Sequence, residues 1–332
     1  MIQVENRGES GLRDEDDDEV FNPDGPTFAT YSCATFHKDG QMSTIFKAKP
    51  NNQASARVVA LKVTNPTTMI APHNSEREAR ILVEASHESV VQLLEAFWQP
   101  GGRYVLVFPF LGQDLENLLR AGVLTKKQSW LVFEALFNAL NHVHSKGIIH
   151  RDVKPSNILL RSMDGPAYLT DFGIAWSPTD KESEPAASKL TDVGTTCYRP
   201  PELLFGCRCY DESLDMWAAG CVVAEMVKDG HHPVFDAGPL GSELGLIKSM
   251  FTTLGTPTNG TWPVSLHTYR PGNLLKNACS QHVHTLTGIR FAFKISLHNL
   301  GQIYFQEHLQ RPLNLPNRPF ALRAQSVWMQ GR

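Results

Sequence analysis

Apolar and polar positions divide the chain into segments of different period. From Phe28 to about Ala48, aromatic and β-branched residues flank a polar, glycine-containing break, Lys38-Asp-Gly-Gln-Met-Ser43, which predicts two strands joined by a turn. Residues 57–63, Arg-Val-Val-Ala-Leu-Lys-Val, read as a buried strand, and Lys62 within it needs a carboxylate partner to stay charged. A helical pattern follows, with Asn74 or Ser75 as N-cap and with Ala79, Ile81, Leu82 and Ala85 mixed among charges at helical spacing. Tyr104 to Leu111 is an apolar strand running into a hinge. Residues 124–146 carry Trp130, Leu131, Phe133, Leu136, Phe137 and Leu140 at the spacing of an amphipathic helix, ended by Lys146-Gly147. His142 and His144 near its end read as packing or cap residues rather than metal ligands.

Both ends of the chain depart from this patterning. Residues 1–26 hold the acidic block Asp14 to Glu19 and then the turn formers Asn22-Pro-Asp-Gly-Pro26, with too little apolar content to offset the entropy of ordering. Residues 265–332 carry eight Lys/Arg against one Asp/Glu, whereas residues 1–264 hold 23 basic and 33 acidic side chains. The net charge of −3 therefore hides two different kinds of material.

With 332 residues at 42% hydrophobic composition, the chain can bury a substantial core and form one two-lobed domain with tails. The cysteines are scattered, and Cys207-Arg-Cys209 lacks the usual gap of a zinc ligand pair, so reduced thiols are expected. No signal-peptide run is found in the first thirty residues and no stretch is apolar enough to span a bilayer, so a cytoplasmic or nuclear location with no membrane partner is expected. No nucleic-acid partner is expected.

Candidate chemistry concentrates in His150-Arg-Asp-Val-Lys-Pro-Ser-Asn-Ile-Leu-Leu160. Asp152, Lys154 and Asn157 stand there at spacings set by phosphoryl transfer: a carboxylate to orient an attacking hydroxyl and accept its proton, an ammonium to neutralise the moving phosphoryl group, and an amide to ligate a metal ion. Thr170-Asp-Phe-Gly173 then supplies a carboxylate metal ligand, Asp171. A single His-Arg-Asp triplet is cheap by chance. The weight lies in the order of Lys62 in its strand, the two motifs just given, Arg199-Pro-Pro-Glu202, and Leu214-Asp-Met-Trp-Ala-Ala-Gly-Cys221. In this order and spacing the chain resembles the eukaryotic protein kinases over roughly residues 28–264.

The resemblance implies an α+β, two-lobed protein-kinase fold: an acidic disordered leader over 1–26, a small β-rich N-lobe and hinge over 27–112, a helical C-lobe over 113–264 that is incomplete, and an atypical basic segment over 265–332. It implies ATP and Mg²⁺ as cofactors. Lys62 pairs with Glu78, Glu76 being the competing carboxylate, and holds the α and β phosphates, while Asn157 and Asp171 hold the metal. Asp152, Lys154 and Thr195 serve the catalytic step, with the Thr195 hydroxyl bonded across to the other two as a mark of Ser/Thr specificity. Ile45 lies above the adenine ring, Phe108 is the gatekeeper behind it, backbone from Pro109 to Leu111 with Phe110 meets the base edge, and Ala60 and Leu159 complete the nucleotide site. The three loop glycines of the family fall on Lys38, Gly40 and Ser43, so only Gly40 remains of the phosphate cradle. Asp215 is expected to hydrogen-bond the backbone of the His150-Arg151 turn.

Thr191 to Glu202, Ser242 to Pro257 and Thr261-Trp-Pro263 resemble the cyclin-dependent-kinase branch. The lack of a PSTAIRE-type helix is similar to fungal kinases that activate cyclin-dependent kinases and act without a cyclin. The function implied is an ATP-dependent serine/threonine protein kinase acting on a protein substrate such as a cyclin-dependent kinase. The rival is a pseudokinase or binding scaffold, suggested by the poor glycine loop and abnormal end. Leu190 occupies the branch's phosphothreonine position, and of the three Arg that gather the phosphate, Arg77 and Arg151 remain while the third position is Trp176. Activity is thus expected not to depend on phosphorylation there, Thr191 or Ser188 being the alternative acceptors. Ser177 to Ser188, rich in Pro, Ser, Glu and Ala, is expected to be mobile.

Residues 265–332 lack the Asp-Pro-x-x-Arg element whose Arg pairs with Glu202. A divergent folded ending, a basic docking tail and an altered reading frame all account for this, the last best, because composition and motif order break together. Glu202 would then be left unpaired, at a cost of about 3–5 kcal/mol.

Overall fold

The computed structural model describes residues 2–3, 22–51, 57–162 and 165–256. The basic segment 265–332 and most of the acidic leader lie outside these residues, as does the question of how the C-lobe ends.

Six strands form the first sheet: β1 (Ile2–Gln3), β2 (Tyr31–Asp39), β3 (Ser43–Pro50), β4 (Val59–Thr64), β5 (Glu95–Gln99) and β6 (Arg103–Pro109). Their spatial order is β1-β5-β6-β4-β3-β2, with every pairing antiparallel. Ile2 and Gln3 pair with Ala96 and Glu95, so two residues of the leader that was expected to be disordered lengthen the sheet. Side-chain alternation gives each strand two tasks. On β4, Val59, Leu61 and Val63 join Phe28, Tyr31, Ala48, Phe97, Val105 and Val107 in an upper core, at roughly 1.5–3 kcal/mol for each large apolar side chain fully buried. Ala60 and Lys62 alternate to the other face.

Helix α1 (Ser75–Glu84) crosses behind the sheet. Of its two candidate caps the structure uses Asn74, whose side chain accepts the Arg77 N–H at 2.8 Å. Ala79, Ile81 and Leu82 pack with Leu106 of β6 into a core that continues through the helical lobe.

That lobe contains β7 (Gln113–Asp114), α2 (Leu115–Ala121), α3 (Lys126–Ser145), β8 (Ile158–Leu160), β9 (Ala167–Leu169), α4 (Pro201–Leu204), α5 (Ser213–Val227) and α6 (Glu243–Leu254). Strands β7, β8 and β9 form a small antiparallel sheet beneath the cleft. Helix α3 opens on a capping box in which Thr125 and Gln128 satisfy each other's backbone N–H. Every residue of α5 from Ser213 to Met226 is buried, which fits its apolar surface all round and leaves Asp215 as a carboxylate in the core.

Among the described residues no helix is long and apolar enough to cross a membrane. Cys33, Cys197, Cys207 and Cys221 are free thiols.

Candidate active site

The turn between α3 and β8 carries the densest polar network. Asp215 Oδ2 accepts the His150 N–H and Asp215 Oδ1 the Arg151 N–H, each at 2.8 Å. His144 contacts the same carboxylate through Nε2 at 2.8 Å, which gives that histidine a partner the sequence did not reveal. Burial opposes ionisation of Asp215, but the bond from His144 and the backbone donors hold its carboxyl below the usual carboxylate range. His150 is itself buried: Nδ1 accepts the Asp152 N–H at 3.2 Å and Nε2 donates to the Thr170 carbonyl at 2.9 Å. Its ring meets Phe172 edge-on at 4.7 Å.

Asp152, Lys154, Asn157 and Thr195 converge at the end of this turn. Thr195 Oγ1 donates to Asp152 Oδ1 at 2.8 Å and accepts from Lys154 Nζ at 2.9 Å. Lys154 Nζ also lies 2.8 Å from Asp152 Oδ2. The Asn157 amide donates to the Asp152 carbonyl at 2.8 Å and to Oδ2 at 3.1 Å, which leaves its Oδ1 for a cation. Gly194, at φ +79°, brings this strand close enough that a Cβ would stand 3.0 Å from the Arg151 carbonyl oxygen, so only glycine fits.

Across the cleft, Lys62 Nζ sits 2.7 and 2.9 Å from the two Glu78 oxygens and 2.7 Å from Asp171 Oδ1. Burial acts to lower the Lys62 pKa, but Asp171 and Glu78 together outweigh it and raise it, so the ammonium stays charged. Desolvation pushes the other way on Asp171 too, and Lys62 overcomes it to hold that carboxyl well below its ordinary value. Glu78, almost fully buried, is raised by desolvation despite Lys62. Asp171 adopts a left-handed φ of 62°, a conformation that costs a non-glycine residue about 1–3 kcal/mol and is concentrated at functional sites. A Cβ at Gly173 would stand 3.2 Å from Asp171 Oδ1 and 3.3 Å from Glu78 Oε2.

A family profile for the protein kinase domain matches residues 39–265, more than half the chain. The chain belongs to the protein kinase family. Among curated relatives, the serine/threonine-protein kinase csk1 of Schizosaccharomyces pombe is 33% identical over 229 residues, covering 68% of this chain and 72% of the relative. The protein is thus a serine/threonine protein kinase of two-lobed fold, and kinases of this family use ATP and Mg²⁺. The oxygen donors of Asp171 and Asn157 suit a hard cation that completes its coordination with phosphates and water. No cluster of three or more His, Cys, Asp or Glu able to hold a metal ion by itself occurs among the described residues.

The remaining nucleotide-site candidates of this kinase lie on β3, β4, β6 and β8 and in the segment after β6. Ala60 is the strand partner of Phe108, and Ile45 that of Lys62. Leu159, half-buried on β8, stands opposite Asp114. Leu111 is buried. The Phe110 N–H is bonded to the Val58 carbonyl at 3.2 Å and is not available to a base edge. Its ring instead receives His37 edge-on at 5.2 Å and the Lys47 ammonium at 4.3 Å. The β2–β3 turn closes on Gly40, whose N–H donates to the Ser43 carbonyl at 2.7 Å, so this amide too is used within the fold.

The activation segment, Asp171 to Glu202, corrects one expectation of the sequence. Ser177 to Ser188 is tied down rather than loose. Ser177 is fully buried, its N–H donates to Ser183 Oγ at 3.2 Å, and Asp180, Glu182 and Glu184 are all ion-paired to arginines. Their acid–arginine complementarity was hidden in sequence because the partners lie about 33 to 102 positions away. Trp176 and Ile149 exchange two backbone bonds at 2.9 Å, joining the segment to the start of the catalytic loop, His150 to Asn157. Glu202 is half-buried and is not without a partner.

Proposed function

We propose that this kinase transfers the γ-phosphoryl group of ATP to a Ser or Thr hydroxyl of a cyclin-dependent-kinase-type protein, without needing a cyclin, in the cytoplasm or nucleus. The observation that carries the transfer chemistry is the joining of Asp152, Lys154 and Thr195 within 2.9 Å of one another. Asp152 orients the substrate hydroxyl and takes its proton. Lys154 follows the charge on the moving phosphoryl group. Lys62, kept in place by Glu78, positions the nucleotide, and Asn157 and Asp171 hold Mg²⁺, which when bound neutralises phosphate charge. Ile45, Ala60, Phe108 and Leu159 enclose the base.

The branch assignment rests on the segments Thr191 to Glu202 and Ser242 to Pro257, while the likeness to csk1 supports the serine/threonine class alone. The rival reading, a non-catalytic scaffold, draws on the single glycine of the β2–β3 turn. The retained pairing of Lys62 with both Glu78 and Asp171 favours transfer, because a scaffold has no need of it. Phosphate transfer from ATP by the purified chain, with and without candidate cyclin-dependent kinases, is the test. Transfer to general Ser/Thr substrates but to no cyclin-dependent kinase would reject the substrate assignment alone.

A further inference from the structure

The acidic run Asp180-Lys-Glu-Ser-Glu184 takes no part in the chemistry above, yet it reaches arginines on both sides of the cleft. Arg80 donates from Nε to Asp180 Oδ2 at 2.6 Å, and from Nη2 to Asp180 Oδ1 at 3.1 Å and Glu182 Oε2 at 2.9 Å. Asn74, the cap of α1, donates to Glu182 Oε2 at 2.8 Å, and Arg77 Nη1 donates to the Glu182 carbonyl at 3.3 Å. These contacts bracket Glu78 on α1. Glu184 Oε1 accepts from Arg151 Nη1 at 3.1 Å, one residue before Asp152, and the Arg151 side chain is fully buried. Trp176 fixes the end of the run by donating from Nε1 to the Glu184 carbonyl at 2.8 Å.

We propose that Asp180, Glu182 and Glu184 are positioning residues: a built-in anionic clamp that holds α1 and the catalytic loop together with no phosphate on the activation segment. The inference rests on the kinase assignment of the site and goes beyond its proposed substrate. A buried arginine charge needs an anion beside it, and Glu184 supplies one from the chain itself. The two-point grip of Arg80 on Asp180 adds direction as well as attraction. Burial ranks the contacts, because Arg80 and Glu182 are about a third exposed and screened, whereas Arg151 is not. Glu184 therefore acts on Asp152, and Asp180 with Glu182 act on Glu78 and Lys62.

The test uses the full chain after phosphatase treatment, with Glu184→Gln, Glu184→Asp and the pair Asp180→Asn/Glu182→Gln. ATP·Mg affinity, kcat on a general Ser/Thr substrate, and hydrogen exchange over residues 75–84 and 148–157 are read. The dephosphorylated wild type should stay active. Glu184→Gln should lower kcat about tenfold with nucleotide affinity nearly unchanged, and Glu184→Asp should recover part of it. The Asp180/Glu182 pair should weaken ATP·Mg binding by roughly three- to tenfold with faster exchange on α1. Loss of activity on phosphatase treatment overturns the proposal. So does a fall in thermal stability with kinetics, affinity and local exchange unchanged. Should the wild type phosphorylate no cyclin-dependent kinase, the substrate reading fails while these readouts still decide the clamp.

Discussion

Asp215 accepts the backbone N–H groups of His150 and Arg151, each at 2.8 Å, from inside a helix buried on every side. Arg151 has a φ of 69°, which a residue with a Cβ does not adopt without support. The carboxylate supplies that support and thereby aims the next residue, Asp152. Asp215→Asn replaces one acceptor oxygen by an NH₂ group facing an N–H donor. It should cost about 1.5–3 kcal/mol of stability and lower kcat more than it raises KM for ATP. Urea denaturation and steady-state kinetics check both, and an unchanged kcat in a destabilised protein would confine Asp215 to packing.

The same residue sets an acid limb. Its folded pKa lies below the ordinary 3.8, so its contribution to stability is complete above that value and is lost as pH falls through the folded pKa. Unfolding free energy measured between pH 5 and the acid transition should fall less steeply in Asp215→Asn than in the wild type. Parallel curves would show that Asp215 is not a source of the pH dependence.

Thr195 precedes a short turn, Thr196–Tyr198, that it does not cap, because its hydroxyl is committed to Asp152 and Lys154. Thr195→Ala should therefore lower kcat about tenfold, and Thr195→Ser should retain most activity. Equal kinetics for the two variants would mean that the hydroxyl is dispensable.

Much of this arrangement was legible in the sequence because motif order fixes local geometry. Lys62 in an apolar run demanded a carboxylate, and α1 spacing offered Glu76 and Glu78; burial settles the choice on Glu78, which is 1% exposed. The strands around the Lys38–Ser43 break and the helix after Thr125 followed from periodicity. The activation segment misled, since Pro, Ser and Glu read as a mobile loop when acids are counted without their distant arginine partners. His144 was likewise invisible as a partner of Asp215, 71 positions away. Hydrogen bonds of that range leave no periodic trace.

Nucleotide binding and transfer should separate by residue. Lys62→Met and Asp171→Asn remove members of the ion pair at 2.7 Å and should weaken or misplace ATP·Mg. Asp152→Asn should bind nucleotide nearly as well as the wild type. Titration of ATP·Mg into the three folded variants checks this, and equal loss in all three would contradict the division of roles.

The most direct measurement is transfer of labelled γ-phosphate from ATP·Mg to a protein Ser/Thr substrate by the purified full chain, alongside Asp152→Asn. The account predicts Mg²⁺-dependent transfer by the wild type, reduced by about 10²–10⁴-fold in the variant. Wild-type protein that binds ATP·Mg but transfers phosphate no faster than Asp152→Asn would contradict it.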